Sequence, residues 1–220
     1  MRKLLSSRSA TGRIDWLGAV HQIVAVFSLK TAALTALLCG PLAAAAVFST
    51  ASNSIVLKDL DGHTQSFFAE KNTNPDPTVF IFVLPDCPVC NSYVPELKRL
   101  RQEFSQVEFF RVYADPDLTA TEAKRHSKEY DFGFPGLLDP KQELIRKSGA
   151  TRTPEAAVFS SDGKLLYRGR IDDRYVDFGK KRDQPGERDL ENALSAILKN
   201  EPVHWPDKPP IGCFIPKKDN

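Results

Sequence analysis

Cys87 and Cys90 stand two residues apart in "VFIFVLPDCPVCNSYVPELKRL", residues 79–100 of the 220-residue chain. Thiols at that spacing can hold a metal, staple the chain or exchange disulfides. A structural zinc site normally takes a second pair of Cys or His ligands at similar spacing. His21, His63, His126 and His204 are scattered singly, and each reads as an ordinary surface or turn residue. A static disulfide over two intervening residues closes a very small loop and constrains little of the unfolded chain. Disulfide exchange needs a thiolate that attacks and a second thiol that resolves the mixed disulfide. The pair supplies both, with Cys87 as nucleophile and Cys90 as resolving thiol.

The flanking elements must position those sulfurs. Residues 79–83 form an unbroken apolar run of strand length, the pattern of a strand covered on both faces. Behind the cysteines, Val89, Tyr93, Leu97 and Leu100 fall on one stripe of a helix. Cys87 thus sits where strand becomes helix. Unpaired backbone N–H groups and the helix dipole there favour a thiolate. Pro88 suits the first turn, where its missing N–H would have had no partner. Asp86 opposes activation, because a neighbouring carboxylate disfavours a thiolate. That balance suggests a reducing or isomerising protein rather than a strong oxidant.

Elsewhere the elements alternate. "IVLKDLDGHTQSFFA" reads as a hairpin turning at Asp61-Gly62, and "EKNTNPDPT" as a polar loop. "VEFFRVYAD" is a second buried strand and "LTATEAKRHSKEY" a polar helix. "DFGFPGLLD" holds a short strand, and "KQELIRKSGA" another short helix. "TPEAAVFSSDGKLLYRGRIDD" gives two strands around Ser161-Asp162-Gly163, and "ERDLENALSAILKN" the last amphipathic helix. The order predicts an α/β fold: a central mixed sheet flanked by helices, with an N-terminal β-hairpin extension. Beyond Asn200, "EPVHWPDKPPIGCFIPKKDN" carries five prolines without periodicity and reads as an extended tail.

"CPVC" after an apolar strand, then "TPEAAVF" leading into "SSDGKLLYRGRIDD", resembles the thioredoxin-like superfamily and, within it, extracytoplasmic redoxin-type proteins. The likeness spans about residues 53–200. It implies a thioredoxin-like fold and thiol–disulfide oxidoreductase activity without a cofactor. It also implies a cis bond at Thr153-Pro154 beside the cysteines. Pro154 would then shape the groove, and the Thr153 backbone would pair with a bound partner. Glu155 becomes a candidate proton relay and Arg152 a candidate positive charge near the thiolate. The chain departs from better-known relatives. Thioredoxin has an aromatic residue where this chain has Asp86. Peroxiredoxins carry Pro and Thr where this chain has Phe80 and Leu84, which argues against efficient peroxide turnover. Copper-delivery relatives space their cysteines by three residues and add a distant His. A thiol peroxidase with antioxidant activity and a copper- or metal-binding carrier remain the alternatives, although no metal ligand set is assigned.

Residues 1–50 have another character: Arg2, Lys3, Arg8 and Arg13, then an uncharged Ala/Leu-rich run from Thr31 to Phe48. This is the order of a signal peptide cleaved near 45–50, or of an N-terminal membrane anchor. Either reading puts residues 53–200 outside the cytoplasm, in the periplasm or secreted, where disulfides persist. Composition is globular, 41% hydrophobic and 26% charged, and a net charge of +2 argues against a nucleic-acid partner. Protein or small-molecule thiols and disulfides are the expected partners, with the chain a monomer. If Cys39 leaves with a signal peptide, Cys213 in the 201–220 tail is the odd thiol. It is either incidental or a further redox thiol that folds back on Cys87 and Cys90.

Overall fold

Strand β3 (Thr78–Val83) explains why the sheet forms where it does. Val79, Phe80, Ile81, Phe82 and Val83 are all fully buried. Each such side chain contributes roughly 1.5–3 kcal/mol on leaving water. Side chains alternate across a strand. Val79, Ile81 and Val83 therefore enter one core with Cys87, Cys90, Tyr93 and Leu97, while Phe80 and Phe82 enter the other with Phe67, Phe68 and Phe159.

The computed structural model describes residues 54–69 and 76–218. The expected leader at 1–50, with Cys39, lies outside the described residues, as does most of the expected loop at 70–78. Among the described residues, no helix is long and apolar enough to cross a membrane. The chain starts with a hairpin of β1 (Ile55–Asp59) and β2 (Thr64–Phe67), turning through Gly62 at φ 90°. After β3 come helices α1 (Pro88–Ser92) and α2 (Val94–Glu103), strand β4 (Glu108–Tyr113) and helix α3 (Ala120–Tyr130). Strand β5 (Gly136–Leu138), helix α4 (Glu143–Ser148) and the short β6 (Arg152–Thr153) follow. β7 (Glu155–Phe159) and β8 (Leu165–Gly169) form the late hairpin, then β9 (Tyr175–Asp177) and β10 (Lys180–Lys181) a small one. Helix α5 (Asp189–Leu198) and the two-residue β11 (Cys213–Phe214) complete the order.

The main sheet runs β2-β1-β5-β4-β3-β7-β8. β3, β4 and β5 are parallel, and the flanking pairs are antiparallel. This is the α/β architecture expected, with the hairpin added at one edge.

Three details differ from the sequence expectation. The helix behind the cysteines is two helices, broken at Tyr93. Pro95 accounts for the break, since it lacks an N–H and its ring clashes with the carbonyl four residues back. The β9–β10 hairpin was not expected; Gly179, at φ 71°, supplies its turn. His126 was read as a surface or turn residue, yet it is only 4% exposed. Its helix carries Ala123, His126 and Tyr130 along one stripe, so the 3.6-residue period turns the imidazole inward. α3 itself starts on a capping box, Thr119 Oγ1 accepting the Glu122 N–H at 3.3 Å while Glu122 accepts the Thr119 N–H at 3.0 Å.

Candidate active site

The chain leaves β3 at Val83 and turns so that the Cys87 N–H donates to Leu84 O at 3.2 Å. Cys87 is the N-cap of α1, and its sulfur accepts the Cys90 N–H at 3.5 Å. Pro88 occupies the first helical position. Asn91 ties the same turn to the strand exit, donating to Pro85 O at 3.0 Å. On the far side, Tyr93 donates to the Asp172 carboxylate at 2.5 Å, and Ser92 Oγ lies 2.7 Å from the Tyr175 hydroxyl. The Cys87 turn is therefore held by the β3 exit behind it and by the segment after β8 in front.

The two thiols are driven apart in acidity. Cys87 falls to about 5: the Cys90 thiol donates to its sulfur, and the Cys213 thiol and the Cys90 and Cys213 backbone amides add to this against the cost of burial. Cys90 is pushed well above the usual thiol range, by burial first and then by the neighbouring Cys87 sulfur. A thiolate that accepts from a buried thiol is the asymmetry exchange requires: one sulfur ready to attack, the other kept protonated. Asp86 is not one of the leading influences on Cys87; its charge acts on His126. Cys87 thus lies below thioredoxin's value of about 7.

Thr153 and Pro154 meet this pair, and the peptide between them is cis. Thr153 O lies 3.4 Å from Cys87 Sγ, accepting its hydrogen whenever Cys87 is a thiol. The other expected residues take different places. Glu155 is 3% exposed, and its carboxylate accepts the Thr151 N–H at 2.8 Å and the Arg152 N–H at 3.1 Å, with Arg168 3.4 Å away. It fixes the loop entering Thr153-Pro154. Arg152 faces the C-terminal segment, its guanidinium 3.9 Å over the Phe214 ring. Cys213 is in the site: β11 pairs with β6, setting Cys213 opposite Thr153. Cys87, Cys90 and Cys213 are all free thiols.

Two residues at the site were not singled out from the sequence. His126 Nε2 lies 2.9 Å from Asn91 Oδ1, and Nδ1 lies 3.0 Å from the Tyr113 hydroxyl. Burial and Arg111 lower His126 to about 4, so it is neutral at physiological pH. Through Asn91 it buttresses the helix that carries Cys90. The signal for it was the helical stripe noted above; Asn91 carries no comparable pattern.

A mixed sheet presenting a Cys-X-X-Cys pair on a strand–helix junction, opposite a cis Thr-Pro bond, defines the thioredoxin-like class. The chain belongs to the Redoxin family, whose sequence profile matches residues 45–179. The chain is 26% identical over 80 residues to the thiol-disulfide oxidoreductase ResA of Bacillus thuringiensis subsp. konkukian, a match covering 36% of this chain and 46% of that protein. The chain thus spans about half the length of the curated relatives it matches. Among solved structures, an uncharacterized conserved protein from Geobacillus kaustophilus superposes with a TM-score of 0.61 at 26% identity, over 77% of this chain and 91% of that one. A hypothetical protein from Sinorhizobium meliloti 1021 gives a TM-score of 0.60 at 25% identity, over 74% and 91%.

Proposed function

We propose that the protein is a thiol–disulfide oxidoreductase acting outside the cytoplasm, with protein or small-molecule thiols and disulfides as substrates and no cofactor. The observation that carries this is the split between Cys87, a thiolate at about 5, and the buried, protonated Cys90 beside it. The Cys87 thiolate attacks one sulfur of a substrate disulfide; a bond to Cys87 forms and the other substrate sulfur leaves as thiolate. Cys87 then no longer carries charge. Two of the influences that raise Cys90, its hydrogen bond to the Cys87 sulfur and the Cys87 charge, thereby vanish. Cys90 gives up its proton, attacks Cys87 Sγ and releases the reduced substrate. The sequence order of residues 1–50 supports the location, and the ResA relative is named for this reaction.

The test sets the wild-type protein and Cys87→Ser against scrambled ribonuclease, hydrogen peroxide and Cu(I). Disulfide turnover lost in Cys87→Ser supports the reading. Cys87-dependent peroxide consumption without disulfide turnover would make it a peroxidase, and stoichiometric copper binding without turnover a metal carrier.

A further inference from the structure

The C-terminal segment does not trail away from the domain; it is fastened across the active site. Cys213 and Phe214 pair antiparallel with Thr153 and Arg152, and the Ile215 N–H donates to Thr151 O at 3.1 Å. Gly212 is required for that approach, because a Cβ there would stand 1.8 Å from Thr153 O. Further on, the Gln142 side chain donates to Pro216 O at 2.6 Å and accepts the Lys218 N–H at 3.0 Å. Gln142 is buried, and it holds a left-handed φ of 53° that a glycine would adopt more easily. Anchors on both sides of Cys213 therefore fix where its sulfur can be.

That place is against Cys87. Cys213 stands opposite Thr153, whose carbonyl oxygen is 3.4 Å from Cys87 Sγ, and both cysteines line one groove of about 290 Å³. Cys87 itself is 0% exposed. With the segment docked, Cys213 is nearer to Cys87 than an external disulfide, which reaches the nucleophile when the segment lifts. The β6 edge that Cys213 pairs with is also the edge expected to take a partner's backbone.

Resting on the dithiol reading above, we propose that Cys213 is a third exchange thiol. The C-terminal strand is an internal substrate that forms a disulfide with Cys87 in competition with Cys90. In the oxidised pair, the Cys213 thiolate attacks Cys87 Sγ. The Cys87–Cys213 bond forms, the Cys87–Cys90 bond breaks, and Cys90 leaves as a thiolate that takes up the proton Cys213 gave up. Two sulfurs are oxidised before and two after, so no external oxidant enters. The same attack on a mixed disulfide at Cys87 releases the partner as a thiol. Burial, together with the Cys87 sulfur, holds Cys213 up at about 11. Once Cys87 is in a disulfide the share due to its charge disappears, so Cys213 gains acidity when there is a disulfide to attack.

Cys90→Ser treated with glutathione disulfide, quenched in acid and mapped by non-reducing peptide mass spectrometry, is the test. The expected product is the Cys87–Cys213 disulfide with glutathione released. Gly212→Val in the same background should shift the product about tenfold or more toward the Cys87–glutathione adduct. A stable adduct with Cys213 free in Cys90→Ser itself overturns the proposal and leaves the dithiol reading intact. Cys87 left unmodified in a folded protein overturns both. If Cys90→Ser does not fold, the wild-type protein equilibrated across glutathione redox mixtures serves. Cys87–Cys213 peptides beside Cys87–Cys90 are expected, and Cys87–Cys90 alone at every ratio overturns the proposal.

Discussion

Cys90→Ala removes the thiol whose hydrogen bond is the largest influence holding Cys87 near 5. A hydrogen bond to a charged group contributes about 1.5–3 kcal/mol, and one pKa unit is about 1.4 kcal/mol. The Cys87 midpoint should therefore climb by about 1–2 units, to roughly 6–7. Cys90→Ser keeps a hydroxyl donor at the same position and should climb less. The assay is the rate of iodoacetamide alkylation against pH under reducing conditions. It is selective, because Cys90 and Cys213 are both held above the ordinary thiol range. The useful window is acidic. At pH 7 a thiol at about 5 has roughly thirtyfold more thiolate than one at about 8.5, but a Brønsted slope of about 0.4–0.5 makes each thiolate less reactive by a similar factor. Near pH 5.5 the thiolate advantage grows to several hundredfold, so Cys87 should outrun an ordinary thiol by on the order of tenfold. A wild-type midpoint near 8–9, or identical midpoints in wild type and Cys90→Ala, would refute the reasoning.

Two further outcomes follow from the same geometry. Folding stability of the reduced protein should fall on acidification more steeply than that of the oxidised protein, read as urea midpoints between pH 8 and pH 5. Cys87 is lowered on folding, so its contribution is complete above the unfolded value of about 8.5 and is lost as pH falls through about 5. His126, lowered to about 4, acts in the same sense, and Asp139, raised by burial to about 6, acts in the opposite one. Those two are common to both redox forms, so equal slopes in the two forms would contradict the Cys87 assignment. Glu155→Gln should destabilise the domain by about 1–3 kcal/mol in urea, because the buried carboxylate loses its charge-assisted bonds to the Thr151 and Arg152 amides. The alkylation midpoint of Cys87 should stay in place; a shifted midpoint at unchanged stability would return Glu155 to the proton relay.

The geometry of the cysteine turn was legible because it is local. A strand-length apolar run, two cysteines and a proline at the first helical turn lie within a dozen residues. Their mutual positions follow from strand and helix geometry alone. The apolar stripe of Val89, Tyr93, Leu97 and Leu100 is buried as its period requires, and Pro95 inside it carried the signal for the break at Tyr93. What escaped depends on contacts between distant segments. Arg111 sits in the middle of a buried strand, and nothing in "VEFFRVYAD" indicates that Phe134 O, the Ser127 hydroxyl and the Tyr113 hydroxyl will receive its guanidinium. Arg152 read as a charge for the thiolate because Phe214 is far away in sequence. The docking of "IGCFIP" on β6 rests on two residue pairs and a glycine without room for a side chain, too short a strand for any periodicity to report.

A thiolate at Cys87 beside a protonated Cys90 is tested most directly by the pH dependence of the pair's reduction potential, measured by equilibration with glutathione in Cys213→Ser. Reduction takes two electrons; with Cys87 already ionised above its value of about 5, it takes up a single proton. The potential should then fall by about 30 mV per pH unit between pH 6 and pH 8, in one two-electron transition that Cys87→Ser abolishes. A slope of about 60 mV per unit over that range would mean that both thiols are protonated, and the absence of a reversible Cys87–Cys90 couple would remove the exchange chemistry altogether.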